Sequence, residues 1–387
     1  MNPQDFVSPQ AGRVIETLDG EHAFVPAPLP PKVEYDPSLT LLLSQADTAL
    51  SELSMLGRYL PNPDLFIAPY TNREAVSSCR INGTRAGMAE LMLDEIDPRS
   101  TPQGSDVKEV GNYVSALNRG IKQLIKLPFE NRLVLDLHHE LMEDGGHFRD
   151  SQNWIGPPGS TLATATYVPP PPDLEMPECL HQWEIFVNQR GKMPELIQCA
   201  LMHEHFEAIH PFLDGNGRLG RLLIPLFLIE RGRLSKPLLY LSSYFEQSRN
   251  EYFTRLQRIR THGDWDGWLR YFLAAVRDTS RSAIEQSHNL RRLRDRFRGQ
   301  LNKKYLALTL LDELFINPYI TVIHAAHLLD VSSPTAAKTI RLLEHVGILK
   351  ESTGREWARV WLARSILKVL EESAPIRAIE EPDQQTG

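Results

Sequence analysis

Cysteine, long apolar runs and surplus basic charge are all scarce in this 387-residue chain. The cysteines are Cys79, Cys179 and Cys199. They show neither metal-ligand spacing nor an even framework, which argues against a disulfide scaffold or a thiolate zinc site and fits a reducing compartment. The longest apolar run, "LLIPLFLI" at Leu222 to Ile229, falls well short of the ~20 residues a membrane helix needs. The N-terminus lacks the apolar centre of a signal peptide. A cytoplasmic protein without membrane contact is expected. The net charge of −7 excludes a chain that binds nucleic acid by overall electrostatics.

What is present is mostly helical patterning. Residues 1–30 read as a flexible arm, ending in the Pro-rich "FVPAPLPPKVEYDP". An amphipathic helix follows, with Ser38 as the expected N-cap. "YLPNPDLFIAPYTN" breaks the pattern, and a second helix is expected from Asn72. Residues 106–280 read as helical except for "NWIGPPGSTLATATYVPPPPDLEMP", which predicts a short β-hairpin or flap and a stiff proline spacer. A basic helical connector spans 281–304. From 305 to 370, helix–turn–helix and strand–turn–strand predict a winged helix. Residues 371–387, acidic and Pro-bearing, predict a disordered tail.

The chemistry concentrates in "HPFLDGNGRLGR", His210 to Arg221. Pro211 disfavours helix at His210, so a helix should end there and project His210 into a loop. Gly215 and Gly217 free the loop backbone. A strongly apolar helix then begins near Asn216–Arg218, with Pro225 expected to kink it. A glycine loop opening a helix is an anion site, since free N–H groups and the dipole both favour negative charge. Arg218 and Arg221, three apart, are expected on one side and suit a polyphosphate. Asp214 offers a carboxylate for Mg²⁺, and His210 an imidazole for general-base work. The pattern reads as a phosphoryl-type transfer site.

This stretch resembles the signature of the Fic (filamentation induced by cAMP) family, His-Pro-Phe-x-Asp/Glu-Gly-Asn-Gly-Arg-x-x-Arg, at every fixed position. "LPNPDLFIAPYTNREAVSS", "HFRDSQNWIG", "YVPPPP" and "PLLYLSSYFEQSRNEYFTRL" extend the resemblance over most of residues 30–280. It implies a Fic helical bundle with a short hairpin flap, divided into an N-terminal segment (31–105) and a catalytic core (106–280). It implies a protein adenylyltransferase that moves AMP from ATP to a Ser, Thr or Tyr hydroxyl of a target protein or of itself. In that pattern His210 takes the hydroxyl proton, Asp214 holds Mg²⁺, and Gly215, Asn216 and Gly217 cradle the phosphates. Arg218 and Arg221 neutralise their charge, and Tyr244 and Asn250 meet the nucleoside.

The family's inhibitory helix carries Ser/Thr-x-x-x-Glu-Gly/Asn, and this chain reads "SSCRINGT". Ser78 and Gly83 match, but Asn82 stands at the glutamate position. No ion pair to Arg221 can form there. A hydrogen bond of ~1 kcal/mol is the most expected, about half a charge-assisted one, so autoinhibition should be weak.

Other readings carry less. "HEHFEAIH" misses H-E-x-x-H because Glu207 occupies the second histidine's place. His138 and His139 read as packing or surface. The winged helix keeps DNA open as a partner, but its span from Tyr305 to Ala363 holds five basic and six acidic residues, a poor footprint for nucleic acid. A nucleotide-sensing transcription regulator, a Fic enzyme moving UMP or phosphate, and a homodimer remain alternatives.

Overall fold

The computed structural model describes residues 1–17, 20–59, 64–100, 106–124, 127–301 and 304–372. Fifteen α-helices and five short strands occur among them.

The first thirty residues are not a flexible arm. Strands β1 (Gly12–Glu16) and β2 (His22–Pro26) form an antiparallel hairpin pairing Val14 with Phe24. Phe24 is buried with Tyr167 and Val168 in a small satellite core, and its N–H donates to Val168 O at 2.8 Å. Patterning missed this because the apolar "AFV" run is short and precedes the prolines.

Helix α1 (Pro37–Tyr59) is capped by Asp36 rather than Ser38, because the Asp36 carboxylate accepts from Leu39 N–H at 2.7 Å. Helix α2 (Asp64–Ile81) begins eight residues before the expected Asn72. It accommodates Pro69 near its start, where few intrahelical bonds are lost. Next come α3 (Met88–Ile96), α4 (Val107–Gln123), α5 (Asn131–Leu141) and α6 (Glu175–Val187). The expected flap between α5 and α6 is turn-rich and closed by a single antiparallel bridge, Ile155–Tyr167. Its many Gly and Pro residues support turns better than a ladder.

Helices α7 (Glu195–Ile209) and α8 (Asn216–Glu230) form the centre. From Leu196 to Ile209 every residue of α7 is buried, including Gln198, His203, Glu204, His205 and Glu207. Helices α4 and α5 flank α8, and α2 packs on α4 and on α9 (Leu241–Gln247). Helix α10 (Arg249–His262) leads to α11 (Trp265–Gln300), which packs along α1 and continues through the basic connector. The connector's apolar side, with Ala283, Leu290, Leu293 and Phe297, is buried.

The C-terminal residues form α12 (Tyr305–Ile316), β3 (Tyr319–Thr321), α13 (Val322–Leu329), α14 (Ser333–His345), β4 (Lys350–Glu351), β5 (Val360–Leu362) and α15 (Arg364–Glu371). The three strands make an antiparallel sheet in the order β3-β5-β4. Helix α15 lies on α11. The expected tail from 373 onward lies outside the described residues. No described helix is long and apolar enough to cross a membrane.

Candidate active site

His210 ends α7 in the left-handed region (φ 49°, ψ 59°), a conformation few non-glycine residues adopt. The loop it opens is held by buried side chains rather than by secondary structure. Arg149 Nε donates to His210 O at 3.0 Å, and the Arg149 backbone N–H donates to Pro211 O at 3.0 Å. Asn153 Nδ2 donates to Phe212 O at 2.7 Å. The Asn216 amide closes the loop on itself, with Oδ1 accepting from Phe212 N–H at 2.9 Å and Nδ2 donating to Phe212 O at 2.7 Å. The resemblance assigned Asn216 to phosphates, but in this structure its side chain is committed to the loop.

The loop delivers Gly215, at φ 78°, to the start of α8. A Cβ at Gly215 would lie 3.1–3.2 Å from Met142 and His138 atoms, so both shape and backbone angle require glycine. Leu219 N–H reaches Gly215 O at 2.9 Å. The N–H groups before it, in the first turn of α8, have no carbonyl within their own helix. A cleft of about 950 Å³ opens beside this turn, lined in part by Asn82, Thr84, Glu109, His138, Asp214 and Arg218.

The imidazole of His210 is held neutral. Burial first, then the charges of Arg260 and Arg149, push its pKa down to about 3, against opposition from the Glu207 backbone and Asp214. A neutral ring is the form that accepts a proton. Asp214 is a different environment, with a side chain 72% exposed. Its Oδ1 accepts from Gly215 N–H at 2.6 Å, and its Oδ2 lies 3.5 Å from Arg218 Nη2.

The two motif arginines diverge, contrary to the expectation that they share a side. Arg218 lines the cleft. Its Nη1 pairs with Glu109 of α4, and its Nη2 reaches Met142 Sδ at 3.3 Å. Glu109 Oε2 also accepts from Thr84 Oγ1 at 2.9 Å. Arg221 is 2% exposed and points at α2. There Nε donates to Ser78 Oγ at 3.0 Å, and Nη2 donates to Ser78 O at 2.9 Å and to Asn82 Oδ1. Three residues turn the helix by about 60° short of a full circle and advance about 4.5 Å, enough to send the second arginine inward. The buried carboxylates Glu74 and Glu207 face its charge. Burial pushes Glu74 up to about 7 and raises Glu207, with Arg221 opposing in each case.

Gly83 follows Asn82 at the end of α2 with φ 109°, and nothing lies near a Cβ placed there. Tyr244 is buried edge-on against Tyr271, and Asn250 is exposed near the start of α10, so neither is among the side chains brought together at the cleft. Its neighbour Arg249 donates to Ile81 O at 2.8 Å, which places that turn near the end of α2. Glu109, His138, Arg149 and Asn153 are the residues that motif reading missed. Arg149 and Asn153 lie in the quoted "HFRDSQNWIG". Glu109 and His138 carry no local signal.

Around a helical bundle centred on two buried helices, the fold and this loop define a class. Residues 40–122 match the Fic/DOC family N-terminal segment and residues 128–228 match the Fic/DOC family. This region of the chain is a Fic domain with its N-terminal segment. The chain is 25% identical over 198 residues to the protein adenylyltransferase Fic of Drosophila grimshawi, covering 49% of this chain and 36% of that protein. It is 25% identical over 174 residues to a probable protein adenylyltransferase of Aquifex aeolicus, covering 44% and 51%. The matches thus span between about a third and a half of these relatives. A Fic family protein from Desulfovibrio desulfuricans G20 shares the fold at TM-score 0.57 and 18% identity, covering 87% of this chain and 98% of that one. A Fic domain containing signaling protein from Bacteroides thetaiotaomicron aligns at TM-score 0.51 and 16% identity, over 63% and 96%.

Proposed function

We propose that the chain is a protein adenylyltransferase, transferring AMP from ATP to a Ser, Thr or Tyr hydroxyl of a protein target, itself included. One observation carries the reading. A neutral imidazole and the open first turn of a helix are joined by a six-residue loop whose backbone is fixed at His210, Phe212 and Asp214 by side chains and at Pro211 by the Arg149 backbone N–H. Transfer of this kind needs mainly positioning and charge stabilisation. The relatives named as adenylyltransferases support the same conclusion.

In this reading His210 takes the proton of the target hydroxyl, whose oxygen forms the bond to the α-phosphorus as pyrophosphate departs. The N–H groups of Asn216 and Gly217 and the Arg218 guanidinium face the phosphates, joined by the Gly215 N–H once the Asp214 carboxylate releases it. Mg²⁺ fits the residues present. Asp214 is a single exposed carboxylate, and magnesium is commonly held by one or two carboxylates plus substrate phosphates. The cleft wall also carries Asp106, Glu109, Glu143, Asp144 and Asp214 against Lys108, Arg149 and Arg218, an acidic surround that disfavours a bare triphosphate. When bound, the ion would offset phosphate charge. Ser78, Asn82 and Gly83 form the regulatory end of α2. The hydrogen bonds that Ser78 and Asn82 accept from Arg221 supply a weak restraint in place of an ion pair.

Intact-mass analysis after separate incubation with ATP, UTP and GTP, with His210→Ala as control, tests this. A gain of one AMP unit with ATP only, lost in the control, is expected. A UMP or phosphate gain instead would give the site another transfer chemistry.

A further inference from the structure

Helix α5 ends beside the motif loop, and its His138 does more there than fill space. The ring is 6% exposed and stacks on Phe212 with centroids 3.7 Å apart and planes 13° from parallel. Its two nitrogens face opposite demands. Gly146 N–H donates to Nδ1 at 3.0 Å, so that nitrogen must be the acceptor and the proton must sit on Nε2. Nε2 lies 3.0 Å from Asp214 O and donates to it. The turn that presents Gly146 is built around the histidine, since a Cβ at Gly145 would fall 2.3 Å from His138 O. On the far side, a Cβ at Gly215 would lie 3.2 Å from Nε2. The histidine therefore holds one face of the loop at its middle, between the base at His210 and the first turn of α8.

We propose that His138 is a positioning residue for the transfer reaction. Through one fixed tautomer it sets the Asp214 carbonyl and the Phe212 ring, and with them the spacing between the His210 imidazole and the phosphate-facing N–H groups. Arg149, Asn153 and Asn216 hold the acceptors at His210, Pro211 and Phe212. The hydrogen bond from His138 holds Asp214 O, the acceptor just before the helix. Without it, the Asp214–Gly215 peptide can rotate and the N–H groups behind it lose their aim. Geometry of this sort acts on the reacting state more than on ground-state nucleotide affinity, because small misplacements of reacting groups are costly in rate. The role in transfer rests on the reading of the site given above.

Three variants separate the ring from the hydrogen bond. His138→Phe keeps the stack and removes the donor, His138→Gln restores an N–H near the Nε2 position without the ring, and His138→Ala removes both. With labelled ATP, kcat of the Phe and Ala variants is expected to fall about tenfold or more while KM for ATP stays within about threefold. The Gln variant should recover several-fold over Ala. Amide hydrogen exchange at Gly215–Arg218, measured on the same full-length proteins, should speed up in the Phe and Ala variants and stay near wild type in the Gln variant. Wild-type kcat in His138→Phe, or unchanged exchange at Gly215–Arg218 in both Phe and Ala, would overturn the proposal. If the wild-type protein transfers no AMP, the transferase reading fails. The exchange comparison then still decides whether His138 holds the loop.

Discussion

The two arginines of one motif, a single turn apart on α8, live in opposite surroundings. Arg218, itself only 5% exposed, meets charge in the wall of a cleft, through Glu109 and Asp214. Arg221 meets neutral oxygens of buried Ser78 and of Asn82 at the cleft wall, with its charge answered at a distance by Glu74 and Glu207. On the proposed reading of the site, the difference separates ligand work from architecture. A cleft-lining guanidinium whose partner is a carboxylate can exchange it for a phosphate. A buried guanidinium bonded to a helix end must move that helix end, or stay. The neutral Asn82 makes the second contact weaker than a carboxylate would. The carboxylate that does restrain a motif arginine comes from α4, as Glu109.

The largest effect should come from breaking the buried side. Arg221→Ala strips three hydrogen bonds from α2, leaves Glu74 without its cation and leaves Glu207 only Arg260. Breaking a buried charge arrangement from one side costs about 3–5 kcal/mol, so the denaturant midpoint should fall sharply. Arg218→Ala, read the same way, should lose far less stability, and an equal loss in both would erase the distinction. Next comes Glu109→Gln, which releases Arg218. Nucleotide affinity by calorimetry should rise about fivefold, the equivalent of roughly 1 kcal/mol for a partly exposed pair. A drop would mean that Glu109 aims Arg218 rather than occupying it. Asn82→Glu should lower labelling by a few-fold, because a carboxylate would add an ion pair to the hydrogen bond that Arg221 now makes to the amide. A Glu variant as active as wild type would remove Asn82 from regulation. The smallest effect is in pH. A neutral imidazole is the working base, and burial keeps His210 neutral down to about 3. Transfer should therefore not decline as pH drops from about 8 to about 6, whereas an ordinary imidazole would begin to protonate near 6.5. A steep acid loss centred near 6.5 would show that His210 is not so held.

The sequence disclosed the motif loop's backbone and hid its supports. His210, Asp214, the glycines and the boundary at Pro211 were legible because each follows from local backbone physics: helix termination, left-handed angles and a helix start. The inward path of Arg221 was not legible, because three-residue spacing gives an angle and says nothing of depth. Glu109 and His138 come from helices about seventy to a hundred residues upstream, and only tertiary packing brings them to the loop. The N-terminal hairpin escaped because its buried strand is three apolar residues long, with its partners, Tyr167 and Val168, far away in the chain.

Calorimetric titration of the purified chain with ATP and Mg²⁺, beside Arg218→Ala, tests the central claim most directly. Saturable binding by the wild type, weakened at least about tenfold in the variant, is the result this account predicts. No heat of binding in the wild type, or equal affinity in both proteins, would contradict it.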